Sequence, residues 1–172
     1  MKNFIDDLSV FLGKSNQDVN LINFFVKNNF IKDEKDIKLS LYDEDGEWLD
    51  EHDLYIENHS KGLSFIFTDE AFFLENSNKP LLGEILYLST IFFYNEGVDD
   101  FSKYDLGLPF NLHFSMKSED LVSLLGEPML IRSYDNGNLL TQRWNVVNEQ
   151  YDFFVSYSSV AEIELMGLTV PH

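Results

Sequence analysis

A dense group of carboxylates occurs where the chain could bind a metal ion, transfer protons or receive a basic protein. Residues 42–53, YDEDGEWLDEHD, place seven acids around Gly46 and Trp48. Carboxylate oxygens are preferred ligands for calcium, they act as general acids and bases in catalysis, and they complement cationic protein surfaces. Each use requires particular residues at particular positions, so the sequence of the stretch can be compared with each requirement.

Calcium binding is the first use that the sequence can test. An EF-hand loop needs carboxylates at its first, third and fifth positions, glycine at its sixth and a bidentate glutamate at its twelfth. With Gly46 at the sixth position, Asp43 and Asp45 take the third and fifth, but Leu41 stands first and His52 twelfth. Because two anchoring ligands are missing, we predict a turn between strands and no calcium loop.

Other catalytic and metal motifs are also incomplete. The chain has no cysteine, and its four histidines (His52, His59, His113 and His172) are scattered without the paired spacing of zinc ligands. Gly62-Leu63-Ser64 begins like a nucleophile elbow but lacks the second glycine. We therefore expect no enzymatic activity, no metal and no cofactor. A carboxylate-based hydrolase remains an alternative, because its acid pair is defined by a spatial separation of roughly 5 to 10 Å.

Length and composition indicate a folded protein. The chain has 172 residues, of which 44% are hydrophobic and 15% aromatic, so we predict one domain over residues 1–172. Asp6 and Asp7 interrupt what would have to be the apolar part of a secretory signal. The run 85–93 is far shorter than the roughly 18 residues of a membrane span. We expect a cytoplasmic protein that does not enter the membrane.

The net charge points to the kind of partner. Thirty acidic residues against twelve basic ones give a net charge of −18. Such a field repels nucleic acid and raises the rate of encounter with a basic partner by roughly tenfold to a thousandfold. We expect a protein partner and no nucleic acid, although solubility alone would account for the charge equally well.

Hydrophobic periodicity predicts an α+β fold. Three short helices are expected over residues 4–12, from the cap residue Ser15 to Val26, and over 118–125 before Gly126. Alternation or apolar runs predict strands; these cover 37–41, 54–56, 63–67, 84–94, 110–114, 129–134, 139–146, 151–157 and 162–168. The run 84–94 is apolar on both faces and is expected to be the central strand.

These elements predict a single domain with a largely antiparallel sheet and a few short helices packed on one face. The segments 6–14 (DDLSVFLGK) and 119–127 (EDLVSLLGE) resemble each other, and aromatic strands follow both. A duplicated helix-plus-strands unit would explain this similarity. Leu-Gly is also a common way for a helix to end, so independent origin remains an alternative.

The candidate binding site is the acidic stretch together with a second acidic loop. Trp48 is surrounded by acids, which is the composition of an aromatic interface anchor with a charged rim. An exposed indole would indicate a docking site, whereas a buried one would make the acids a solvated rim. The predicted binding residues are Asp43, Glu44, Asp45, Glu47, Trp48, Asp50, Glu51, Asp53, Asp99 and Asp100.

A series of strand and helix signals follows in order over residues 62–166: GLSFIF (62–67), EILYLSTIFFY (84–94), GLPFNLHFS (107–115), KSEDLVSLLGEP (117–128), Trp144, YDFFVSY (151–157) and IELM (163–166). This order resembles a group of bacterial immunity proteins, those paired with contact-dependent growth inhibition toxins, other polymorphic toxins and some bacteriocins. Each of the matching signals is structural, so the resemblance carries over no functional residue.

The resemblance implies a small cytoplasmic antitoxin that binds one toxin C-terminal domain and neutralises it. Many such toxins are nucleases with basic surfaces, which agrees with the acidic charge. Carboxylates would then fill the cationic cleft that holds nucleic acid phosphates, with fast and salt-sensitive association. A regulatory or scaffold domain that binds a protein unrelated to toxins is the alternative from another class. The sequence leaves the oligomeric state open.

Overall fold

The computed structural model describes residues 4–75, 79–146 and 150–171. Within these ranges the α-helices are α1 (Phe4–Ser9), α2 (Val19–Lys27), α3 (Glu70–Phe73) and α4 (Ser118–Leu125). The strands are β1 (Asp53–Asn58), β2 (Leu63–Asp69), β3 (Leu86–Tyr94), β4 (Leu130–Ser133), β5 (Leu139–Asn145), β6 (Asp152–Tyr157) and β7 (Ile163–Thr169). Single 3₁₀ turns occur at Glu34–Asp36, His59–Lys61, Val98–Asp100 and Pro109–Asn111.

The strands form one sheet in the order β1-β2-β3-β7-β6-β5-β4. Neighbouring strands from β4 to β7 pair in antiparallel fashion, and Trp144 on β5 lies opposite Phe153 on β6. The prediction of an α+β fold with a largely antiparallel sheet and a few short helices is therefore confirmed.

The chain divides into two compact units. The Trp48 unit comprises residues 11–57 and 65–90, and the Trp144 unit comprises residues 1–10, 58–64 and 91–172. The single domain over residues 1–172 stays a prediction, as does the duplicated helix-plus-strands unit.

Helix α2 and strand β2 build the core of the Trp48 unit. The Asp18 carboxylate caps the helix by accepting from two backbone N–H groups of its first turn, at 2.9 and 3.2 Å. One turn apart on the helix, Leu21 and Phe25 are both fully buried. The Phe25 ring lies 4.8 Å from that of Phe65 and 5.6 Å from that of Phe67, centroid to centroid. The alternating phenylalanines of β2 therefore supply the surface that holds this helix.

Aromatic packing across β5, β6 and β7 builds the core of the Trp144 unit. The Trp144 indole packs on Phe153 and donates a 2.8 Å hydrogen bond to the Gly126 carbonyl, which ties β5 to the end of α4. On β7, a side chain at Gly167 would overlap the ring of Phe154. The sheet therefore uses glycine where a neighbouring aromatic ring covers the strand.

The predicted strand over residues 37–41 is wrong. This segment is irregular, although Ile37 and Leu39 are buried while Lys38 and Ser40 are exposed. The Leu39 N–H donates to the Gly83 carbonyl at 3.0 Å, but no ladder forms along the segment. Alternation of apolar and polar residues indicates which side chains face the core. An irregular extended segment can show the same alternation as a strand.

The predicted strand over residues 110–114 is also wrong. Pro109–Asn111 is a 3₁₀ turn in which Phe110 and Asn111 have φ of 57° and 56°, and this left-handed pair stops a strand from starting. His113 is exposed between the buried Leu112 and Phe114, as the alternation predicts.

Three predicted positions need smaller corrections. Helix α1 ends at Ser9 and not at residue 12. Helix α2 is capped by Asp18 and not by Ser15, because Ser15 forms a backbone bridge to Tyr87. Strand β3 lies third among the seven strands of the described ranges, so it is an interior strand next to the central one.

Candidate functional site

Residues 41–53, which we call the acidic hairpin, belong to the Trp48 unit. Tyr42 and Trp48 form an antiparallel backbone bridge, and the Asp43 N–H donates to the Glu47 carbonyl at 3.0 Å. The stretch is therefore a tight hairpin turn, with its two aromatic residues side by side at the base.

The Asp43 carboxylate fixes the shape of this turn. One of its oxygens accepts hydrogen bonds from the N–H groups of Asp45, at 3.0 Å, and Glu47, at 2.8 Å. Gly46 completes the turn in the left-handed region, at φ 82°. An Asx turn of this kind uses the side chain in place of a backbone acceptor. Asp43, one of the predicted binding residues, thus has a structural role within the turn.

The aromatic pair of the hairpin is exposed. Trp48 is 50% exposed and Tyr42 is 55% exposed. Their ring centroids lie 5.4 Å apart at an interplanar angle of 81°, which is the edge-to-face geometry that aromatic pairs favour. The indole is therefore presented at the surface in a defined orientation, which is the exposed one of the two alternatives, and the docking site itself stays a prediction.

The remaining acids of the hairpin differ in their surroundings. Asp53 is partly buried, and one of its oxygens accepts a 2.6 Å hydrogen bond from the Thr68 hydroxyl on β2. It therefore anchors the end of the hairpin to the sheet. The other predicted acids of the hairpin are all exposed, and they are Glu44, Asp45, Glu47, Asp50 and Glu51.

Further aromatic side chains in the Trp48 unit are exposed where no sequence motif marked them. The His52 ring stacks on Phe72 with centroids 4.0 Å apart, and Phe72 is 48% exposed. Tyr55 on β1 is 58% exposed, and partial burial, with added repulsion from Asp53 and Glu51, raises the pKa of its hydroxyl. The period-2 pattern of β1 could have identified Tyr55 as an exposed residue. Phe72 could not be identified in this way, because the run AFFL predicts a buried segment.

Asp99 and Asp100 belong to the Trp144 unit. They are exposed and occupy consecutive left-handed positions, with φ of 49° and 63°. The Phe101 N–H closes the turn by donating to the Val98 carbonyl at 2.9 Å. Glycine or asparagine is the usual choice at such positions, and each strained residue costs on the order of 1 kcal/mol. The two residues thus form a tight turn of their own.

The described part of the chain offers no constellation for a metal ion. No group of three histidine, aspartate or glutamate side chains converges there. His59 stacks on Phe101 with centroids 4.0 Å apart, and His172 lies outside the described residues. Within the same ranges, no helix has both the length and the apolar character that crossing a bilayer requires.

Comparisons with known proteins do not place the chain in a family. No protein-family model matches it, and no curated protein matches it. Among solved structures it is similar to YjgB, a DUF4309 family protein from Bacillus subtilis, with a TM-score of 0.40 and 11% sequence identity. That match covers 76% of this chain and 72% of YjgB.

Proposed function

We propose that this protein binds a basic protein through the acidic hairpin, and that the partner is the toxin domain against which it confers immunity. The observation that carries the proposal is the exposed Tyr42–Trp48 pair, held in fixed geometry among carboxylates. Tryptophan and tyrosine are enriched among interface residues that dominate binding energy. The family-like order of motifs supports the toxin as the partner, and we propose that the protein acts in the cytoplasm of the cell that makes the toxin.

The two kinds of residue in the hairpin have separate roles in the proposed complex. Carboxylates at the rim act over a distance, so they accelerate the encounter with a cationic surface and make it salt-sensitive. Trp48 acts by burial, because a half-exposed indole loses its remaining contact with water when the partner covers it. Charge changes should therefore alter the association rate, and removal of the indole should alter the dissociation rate.

The first experiment identifies the partner. The protein is co-expressed with the product of the neighbouring upstream gene, purified through a tag, and tested for protection of cells that express that product. Co-purification together with protection is the expected result. A neighbour without toxin character, combined with no binding, would refute the immunity proposal and leave the hairpin to a partner unrelated to toxins.

The second experiment locates the interface, using surface plasmon resonance at two salt concentrations. The triple charge reversal Asp45→Lys, Glu47→Lys and Asp50→Lys is expected to slow association by at least about tenfold at low salt. The matched control reverses three exposed acids of the Trp144 unit and changes the net charge equally, at Asp105, Glu127 and Asp135. Equal slowing by both triple variants would show that net charge, and not the hairpin, steers association.

Trp48→Ala tests the proposed anchor. Truncation of an interface hot spot costs about 2 kcal/mol or more, so dissociation should accelerate by roughly thirtyfold while association changes little. Unchanged kinetics for both Trp48→Ala and the hairpin charge reversal would place the interface elsewhere, with the turn at Asp99 and Asp100 as the next surface to test.

A further inference from the structure

An open cleft lies within the Trp144 unit, and its volume is about 930 Å³. The segment 114–119 forms one side and the turn 160–162 forms another, and the other lining residues are Asn95, Lys103, Leu139 and Tyr157. Small-molecule sites in proteins typically enclose about 300 to 1,000 Å³, so this cleft has room for a small organic ligand.

Aromatic residues form the floor of the cleft. Phe114 and Tyr157 line it and are almost fully buried. The Tyr157 hydroxyl donates a 2.6 Å hydrogen bond to the side-chain oxygen of Gln142, and the Ser118 hydroxyl donates to the same oxygen at 3.1 Å. Burial raises the pKa of Tyr157 to about 12, so this hydroxyl is neutral at physiological pH. The floor therefore offers apolar contact and carries no charge of its own.

The rim of the cleft carries both signs of charge. Lys103 and Lys117 line it together with Glu119 and Glu162. All four residues are exposed, and none of their side chains forms an ion pair with another residue of the described ranges. The charges of these four lining residues sum to zero, on a protein whose net charge is −18. The carboxylates of Glu96 and Asp120 lie beside them and accept from the backbone N–H groups of Lys103 and Lys117. The cleft offers lysines and carboxylates in one place.

This arrangement selects among ligand charges. An anion would be attracted by the lysines but repelled by the field of the whole protein, and a cation would be attracted to the acidic surface everywhere. A zwitterion has no net charge to be repelled, and it can use both lysines and glutamates at once. We propose that the cleft binds a small zwitterion with an apolar side chain, either a free amino acid or a short peptide. Its carboxylate would face the lysines, its ammonium group the glutamates, and its side chain Phe114 and Leu139.

The test is a calorimetric titration of the full chain with chemically matched probes. L-phenylalanine and the dipeptide leucyl-phenylalanine carry both charges, 3-phenylpropanoate lacks the ammonium group, and phenethylamine lacks the carboxylate. Loss of one charge-assisted interaction is expected to weaken binding by at least about tenfold. The better of the two zwitterions identifies the free amino acid or the peptide as the ligand class. Phenethylamine binding as tightly as the zwitterions would overturn the proposal, as would no binding of either zwitterion.

Two neutral variants locate the binding in the cleft. Lys117→Gln and Glu162→Gln should each weaken binding of the preferred zwitterion by roughly fivefold or more. Lys38→Gln removes an exposed lysine of the Trp48 unit and should leave it unchanged. Unchanged affinity in both cleft variants, or an equal loss in Lys38→Gln, would overturn the assignment. Glutamine has the shape of glutamate and is shorter than lysine, and a thermal unfolding scan of each variant verifies that it is folded.

Discussion

Replacing Tyr104 by phenylalanine should stabilise the protein. Tyr104 is 2% exposed, and its hydroxyl is buried without a hydrogen-bond partner among the described residues. Its ring packs against Phe93 with centroids 5.0 Å apart, and phenylalanine preserves this contact. A buried polar group without a partner costs about 1 to 3 kcal/mol, and removing one oxygen leaves only a small void. The expected net gain is about 1 kcal/mol, which corresponds to a rise in Tm of roughly 2 to 4 °C for a chain of this size.

Urea unfolding followed by far-ultraviolet circular dichroism measures this gain as a higher midpoint with an unchanged slope. The matched control is Tyr157→Phe, which removes a hydroxyl that donates to Gln142 at 2.6 Å. This control should lose about 1 to 2 kcal/mol, because the buried Gln142 oxygen loses its shorter hydrogen bond. If Tyr104→Phe were destabilised as much as the control, the Tyr104 hydroxyl would have a partner in the folded protein, and the reasoning would fail.

Two further predictions concern backbone space and pH. Gly62→Ala should lower the free energy of unfolding by about 2 to 4 kcal/mol, because Gly62 has φ 64° and an added side chain would overlap the backbone that leads into Tyr104. In the control Gly97→Ala, the added side chain meets no atom within 4 Å, and the loss should be about 1 kcal/mol. Urea titration of both variants measures the difference. The raised pKa of Tyr157 means that the folded state holds its proton more tightly than the unfolded state does. The contribution of Tyr157 to stability is complete below pH 10 and declines as the pH rises towards 12. The Tyr157→Phe variant should therefore lose less stability over that range than the unmodified protein. Parallel profiles of unfolding free energy against pH for the two proteins would contradict this.

Local chemistry in the sequence predicted the turn of the acidic hairpin, but the strand expected before it, 37–41, does not form. The missing ligands at Leu41 and His52 excluded an EF-hand loop, and in the structure the Asp43 carboxylate accepts from backbone N–H groups of its own turn. The exposure of Trp48 could not be predicted, because the same residues form a hairpin whether the indole points inward or outward. The hydrogen bond that Asp53 accepts could not be predicted either, because its partner Thr68 lies fifteen residues away on another strand.

The two wrong strands and the overlooked cleft have a common cause. Alternation over 37–41 and 110–114 identified which side chains are buried, but a strand also needs a neighbour with which to form a ladder. The lining of the cleft comes from separate segments, including 114–119 and 160–162, and no spacing rule connects them. Features that depend on residues near in the sequence, such as burial, could therefore be predicted. Features that depend on segments distant in the sequence, such as strand pairing and the lining of the cleft, could not.

The different surroundings of the two tryptophans allow intrinsic fluorescence to report on the two units separately. Trp48 is half exposed and belongs to one compact unit, whereas Trp144 is 3% exposed, hydrogen-bonded to Gly126 and belongs to the other. Indole emission shifts to longer wavelength with contact with water, and dissolved quenchers reach an exposed ring more readily than a buried one. The emission spectrum is therefore expected to contain a red, quenchable component from the acidic hairpin and a blue, protected one from the β5–β6 core. Each unit can be followed without any attached dye.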